Sequence, residues 1–323
     1  PPATGSALKT RPFDYQEHKY NQSHADIPKF IEKIRGVLDG YTGIFTVAEV
    51  GGPAPLSEMK AFTHGQTRLN SAYDFSFLYA QDLRPDRLKA AMADWPGAAG
   101  EGWPSWAFSN HDAPRALSRW AKEDDYPKAA RLYMLLLLAL RGNVFIYQGD
   151  ELGLPAANVP FDALRDPDAI ANWPHTLGRD SARTPMPWTA APTGGFSTSN
   201  DPWLPVDPRH LKLAAAEQVA APDSMHTFTK HALKVRAQSE ALKVGDAEVV
   251  YTDSAIFAIE RSTGAERVLA IFNLESTDAP LPASLIERIA KGGTPLISAN
   301  LDSSPLEASG VMPAYSATVL PLD

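Results

Sequence analysis

Apolar residues fall at helical spacing over Ile27–Leu38. There Ile27, Phe30, Ile31, Ile34 and Leu38 share one face, and Asp26 stands at the capping position. The next apolar run, TGIFTVAEV, is β-branched and follows a Tyr-Thr-Gly turn. It reads as a buried strand ending at Glu49, ahead of Gly51, Gly52 and Pro53. SAYDFSFLY (Ser71–Tyr79) alternates and is rich in aromatic residues, which predicts a second strand. A short helix over Arg84–Asp94 precedes a third strand, WAFSNHD (Trp106–Asp112). Pro127–Arg141 predicts a helix with proline in its first turn and Gly142 just past its end. NVFIY (Asn143–Tyr147) is the fourth strand and runs straight into QGDELG.

Strands alternate with helices, and the ionisable residues collect at strand C-terminal ends. A parallel β/α barrel presents its chemistry in this way, and four such strands make half a barrel. Residues Asn158–Asp223 form a long excursion rich in Pro and Trp, a length of irregular chain that usually carries function. Ser224–Ser239 is a final helix. After Glu240 the pattern changes to short β-rich runs with a Ser-Thr-Gly-Ala turn, which predicts a small all-β domain. The expected division is therefore the second half of a (β/α)8 TIM barrel over 1–240 and a β-domain over 241–323.

Composition narrows the function classes. A net charge of −8 and a pI near 5.5 argue against nucleic acid or an anionic membrane as a partner, since both need a basic footprint. With no cysteine, disulfides and cysteine-ligated metals are excluded. The longest pure apolar run, MLLLLAL, is far shorter than the roughly 20 residues a spanning helix needs. No signal peptide appears in the sequence as given, which opens on PPATGSALK without an initiator Met. The natural N-terminus is therefore expected to lie upstream.

Glu49 ends a buried strand beside a Gly-Gly-Pro turn. Partial burial there would favour its protonated form, which a proton donor needs; the plainer alternative is a strand-end salt bridge. Asn110, His111, Asp112 and Arg115 share one short loop, and nearby positive charge would keep Asp112 ionised. The plainer alternative here is a structural Asp–Arg pair. A glycosidase uses one proton-donating acid together with carboxylates that stay negative against an oxocarbenium-like transition state. Arg183 can clamp sugar hydroxyls or a carboxylate, or it can pair with Asp180 or Asp166 to stabilise its loop. Asp150 and Glu151 read as loop-anchoring acids.

TVAEVGG, FSNHDAPR and the compound segment YQGDELGLP, VPFDALRDP, NWP and GRDSARTPMPW, in this order, resemble glycoside hydrolase family 13, the α-amylase family. The likeness is to the second half of bacterial α-glucosidases and oligo-1,6-glucosidases, including the β-sandwich that follows their barrel. The resemblance implies Glu49 as general acid/base and Asp112 as the aspartate that stabilises the transition state. It further implies His111 and Arg183 as sugar contacts, and Gly51 on the aglycone side, where a missing side chain leaves room for the leaving group.

The resemblance also implies a retaining, exo-acting α-glucosidase for short oligosaccharides or disaccharides, with transglucosylation open to it. A sucrose hydrolase or glucosyltransferase of the same family is the near alternative. A non-catalytic heavy chain of an amino-acid transporter is the distant one, and intact Glu49, His111 and Asp112 speak against it. The family's nucleophilic aspartate and metal-binding loop lie on earlier strands. The nucleophile is therefore expected on an N-terminal half held as a second chain, joined through a cleavable Pro1–Pro12 loop. A structural calcium or magnesium ion, if bound, would sit on that half, so no metal ligand and no cofactor is assigned here. The expected compartment is the cytoplasm, with the periplasm left open.

Overall fold

The computed structural model describes residues 2, 9, 12–52, 54–93, 95, 102–175, 178–302 and 306–323, without the side chains of Asp74 and Glu307. The expected Pro1–Pro12 loop lies outside the described residues except for 2, 9 and 12. Helix α1 (Ile27–Leu38) has the predicted bounds, with Asp26 at its N-cap, although the Asp26 side chain makes no capping hydrogen bond. Strand β1 (Val47–Val50) pairs in parallel with β2 (Ser71–Asp74), and β3 (Ser105–Ala107) pairs in parallel with β4 (Asn143–Phe145). A parallel bridge between Ala72 and Pro104 and a hydrogen bond between the Ser71 and Ser105 hydroxyls join β2 to β3. The four strands thus lie side by side in chain order. Helices α2 (Pro55–Thr63), α3 (Pro85–Ala93), α4 (Ala116–Trp120) and α5 (Tyr126–Ala139) fall between them. This is the arrangement of part of a parallel barrel.

The strands are shorter than their apolar runs. The alternation of SAYDFSFLY breaks after Asp74, where Tyr79 N–H bonds Phe75 O and Ala80 N–H bonds Phe77 O in consecutive turns. Phe77 is thereby driven into the core, edge-on to Trp106 and Phe108. Helix α2 was not anticipated. It begins with Pro55 at its first position, a favoured site for proline. Helix α5 is apolar on all sides: of its residues from Ala129 to Ala139, Arg131 alone is not buried. A helix hydrophobic all round belongs in an interior, and α5 packs between α9 (Met225–Gln238) and the sheet that follows. Helix α9 fills the predicted span; the Ser224 side chain accepts a hydrogen bond from Thr227 N–H at its start.

The long excursion holds short helices α6 (Pro167–Asn172), α7 (Pro208–Leu211) and α8 (Ala215–Ala220). After α9 comes α10 (Glu240–Val244), then strands β5 (Asp246–Thr252), β6 (Ile256–Ser262) and β7 (Arg267–Asn273). These join β11 (Ala317–Leu322) and β9 (Ile297–Ala299) in one antiparallel sheet ordered β5-β6-β7-β11-β9. One face carries Phe257, Ile259 and Phe272 in a core shared with α5 and α9. The other buries Ile256, Leu269 and Ile271 against helix α11 (Ala283–Ala290) and the ribbon of β8 (Ala279–Pro280) with β10 (Val311–Met312). The expected all-β character is corrected on this point. The amphipathic run of α11 turns Leu285 and Ile289 inward, so that a helix does part of the covering a second sheet would do. Among the described residues, no helix is long and apolar enough to cross a membrane.

Candidate active site

Parallel pairing sets Glu49 on β1 directly beside Tyr73 on β2. The Tyr73 phenol donates to Glu49 Oε1 at 2.8 Å. The Tyr73 ring leans on Phe145 of β4, with centroids 5.5 Å apart, and on Phe75 at 6.3 Å. Burial above all, then the Glu49 hydrogen bond and the charges of Glu49 and Asp112, raise the Tyr73 phenol far above its ordinary range. Glu49 itself is exposed. The burial expected to favour its protonated form is therefore absent, because β1 is a four-residue strand that, among the described residues, pairs on one side alone.

The loop after β3 carries the second group. Asn110 is buried, and its Oδ1 accepts from Asp112 N–H at 2.8 Å, which fixes the turn. Asp112 Oδ1 accepts from Arg183 Nη2 at 2.6 Å, and Arg183 Nε donates to His111 O at 2.7 Å. Arg179 Nη1 lies 3.9 Å from Asp112 Oδ1, and His111 Nε2 lies 3.4 Å from Oδ2. Cationic and hydrogen-bond-donating groups therefore surround this carboxylate. Arg115 does not take part. The Arg115 side chain, 2% exposed, turns away to donate to Gln148 O at 2.7 Å and to stack over Tyr147.

The excursion delivers Arg183 to the site, and not to either of its expected loop partners. Asp180 accepts from the backbone N–H groups of Arg165 and Asp166. Asp166, buried at the N-cap of α6, is gripped by Arg179 through Nε at 3.0 Å and Nη2 at 2.8 Å. Those bonds hold the Asp166 carboxyl down at about 2 despite its burial. Arg179 and Tyr73 were not singled out from the sequence. Arg179 sits in the same GRDSAR run as Arg183, and Tyr73 pairs with a residue on another strand.

Gly51 borders a cleft of about 430 Å3 that also involves Gly52, Phe75, Tyr79 and Arg87. A Cβ on Gly51 would come within 3.1 Å of the Phe75 ring, so the position has little room to spare on that side. Gly52 is tighter: a Cβ there would fall 2.0 Å from Glu58 Oε1 and 2.4 Å from Ser23 Oγ, two atoms already hydrogen-bonded to each other. Behind the Asp112 loop, Asp150 lines a small cavity of about 30 Å3, large enough for water. Burial pushes the Asp150 carboxyl up to about 6, against the pull of Arg115. Glu151 anchors the same loop by accepting from Gly149 N–H at 2.7 Å. Among the described residues, no three His, Asp or Glu side chains gather to hold a metal ion, and none is assigned as a ligand.

The sequence model of the alpha amylase catalytic domain matches residues 6–245. A probable alpha-glucosidase of Rhizobium meliloti (strain 1021) is 38% identical over 292 residues, covering 89% of this chain and 53% of that protein. A glucan 1,6-alpha-glucosidase of Streptococcus pneumoniae serotype 4 is 28% identical, covering 78% of this chain and 53% of the relative. The chain thus spans about half the length of the curated relatives it matches. Among solved structures, the alpha-glucosyl transfer enzyme XgtA superposes with a TM-score of 0.83 at 32% identity, covering 97% of this chain and 57% of that one. The trehalulose synthase MutB from Pseudomonas mesoacidophila MX-45 shares the fold, with a TM-score of 0.81 at 20% identity over 93% of this chain and 59% of that one. With the catalytic-domain match running through Glu49, the Asp112 loop and Arg183, this chain belongs to the alpha-amylase family, glycoside hydrolase family 13.

Proposed function

We propose that this chain carries the acid/base side of a retaining, exo-acting α-glucosidase acting on short α-glucosides. In this reading Glu49 is the general acid/base and Asp112 is the carboxylate that stays negative against the oxocarbenium-like transition state. His111 and Arg183 contact the glucose, and Gly51 leaves room for the leaving group. The observation that carries the reading is the Asp112 cluster. One carboxylate is held by Arg183 and flanked by His111 and Arg179, while the exposed Glu49, two strands away on β1, accepts from Tyr73 on the strand between. The relatives named as alpha-glucosidases support the substrate class.

In a retaining mechanism the nucleophile and the acid lie roughly 5 Å apart on opposite sides of the bond. We assign the nucleophile to the part of the relatives' length that this chain does not span. The division at residue 240 between barrel and sheet is part of the same proposal. Glucosyl transfer to an acceptor hydroxyl is a second outcome of the same covalent intermediate, and the likeness to XgtA favours it.

The test is Glu49→Gln in the nucleophile-complete enzyme, followed by single-turnover release from two substrates. Maltose should lose on the order of 10²-fold or more, as removal of a general acid does. An activated dinitrophenyl α-glucoside needs little protonation and should lose far less. Equal losses on both would remove Glu49 from the acid role.

A further inference from the structure

We propose that Tyr73 is a positioning residue that reserves one oxygen of Glu49, Oε2, for the proton given to the leaving group. This rests on the reading of Glu49 as the acid and adds a group that aims it. The Tyr73 hydroxyl donates to Oε1 at 2.8 Å. An oxygen that already accepts a strong hydrogen bond is the poorer site for the acid proton, so the proton is carried on the other oxygen.

Packing fixes that orientation. The Tyr73 ring cannot swing freely, because it packs against Phe75 and Phe145 and against the buried cluster of Leu78, Ala107 and Ala113. The charged groups acting on the phenol are Glu49 from β1 and Asp112 from the β3 loop, both of which keep it protonated and donating.

Isotope-edited infrared spectroscopy of the chain tests this without needing turnover. With ¹³C-labelled glutamate, the Glu49 carboxylate band is the one lost in Glu49→Gln. Tyr73→Phe keeps the ring and removes the donor, and should shift that band; an unmoved band overturns the proposal. In the nucleophile-complete enzyme, Tyr73→Phe should cut kcat on maltose about tenfold, the loss of one hydrogen bond to a charged group, with KM and the rate on the activated glucoside nearly kept. Equal losses on both substrates mark Tyr73 as merely structural and overturn it too. A band that shifts while Glu49→Gln spares maltose turnover overturns the acid reading, and the positioning role falls with it.

Discussion

Arg183 and Asp112, 71 residues apart in the chain, meet at 2.6 Å, and the same guanidinium holds the carbonyl of His111. One side chain therefore fixes both the carboxylate and the backbone of its neighbour. Arg183→Lys keeps a charge but cannot make both bonds, because an ammonium is a single point of donation. In the nucleophile-complete enzyme, kcat/KM on p-nitrophenyl α-glucoside should fall about tenfold for Lys and about 100-fold for Ala, the range for hydrogen bonds to charged groups. An unchanged value for Ala would make the pair a loop fastener.

The Asp166–Arg179 clamp gives a pH signature. The Asp166 carboxyl is held at about 2 in the fold, below its ordinary 3.8. Its stabilising contribution is thus present above about pH 4 and is lost as pH falls toward 2. The shift corresponds to roughly 2 kcal/mol at most, reduced because Arg179 is partly exposed to solvent. Asp166→Asn should lower Tm at pH 6, and the gap from the parent should close as the melts are repeated toward pH 2.5. A gap that is constant with pH would mean the loss is one of packing.

Tyr73 reports on Glu49 in turn. The carboxylate's hydrogen bond and charge are two of the causes that raise the phenol, after burial. In Glu49→Gln the phenol should ionise at lower pH than in the parent, yet still above the ordinary tyrosine range because burial remains. Fluorine NMR of 3-fluorotyrosine at position 73 would follow the titration.

Phe30, Val37, Tyr41, Phe45 and Val47 lie exposed on α1 and the stretch leading into β1. Exposed large apolar side chains close together in the chain are candidates for cover. The 323-residue chain on its own should associate with itself in sedimentation velocity, and Phe30→Glu with Val37→Lys should shift it toward monomer. A monomer that is unaffected by the double substitution would show that this exposure is tolerated.

Local signals were legible where one stretch of chain decides its own form. Helix α1 reads from its spacing of apolar residues, and α9 from the run carrying Met225, Phe228, Leu233 and Val235. The strand-end placement of Glu49 and the NHD loop were legible for the same reason. What escaped depended on distant partners. The alternation of SAYDFSFLY continues into a turn because Phe77 finds Trp106 and Phe108. Arg183 and Arg179 look equivalent in GRDSAR, and the fold alone decides that the first holds Asp112 and the second holds Asp166. The orientation of Arg115 away from Asp112 is set in the same way, by Gln148 and Tyr147 across the next strand.

Arg261 of β6, fully buried, donates to the carbonyls of Ala139, Leu242, Gly245 and Asp246, while Arg236 of α9 serves those of Leu138, Leu140 and Gly142. The end of α5 thus has its free carbonyls satisfied by residues from two later parts of the chain. Arg261→Met should cost roughly 3 kcal/mol, since several buried acceptors lose their donor at once. The deeper consequence concerns cooperativity. The sheet cannot detach without stripping α5 of its C-terminal partners, and α5 cannot leave without exposing a helix that is apolar on nearly every side. Barrel segment and sheet should therefore melt as one unit, in a single calorimetric transition. A protease that cuts near residue 245 should release no stably folded fragment from either side.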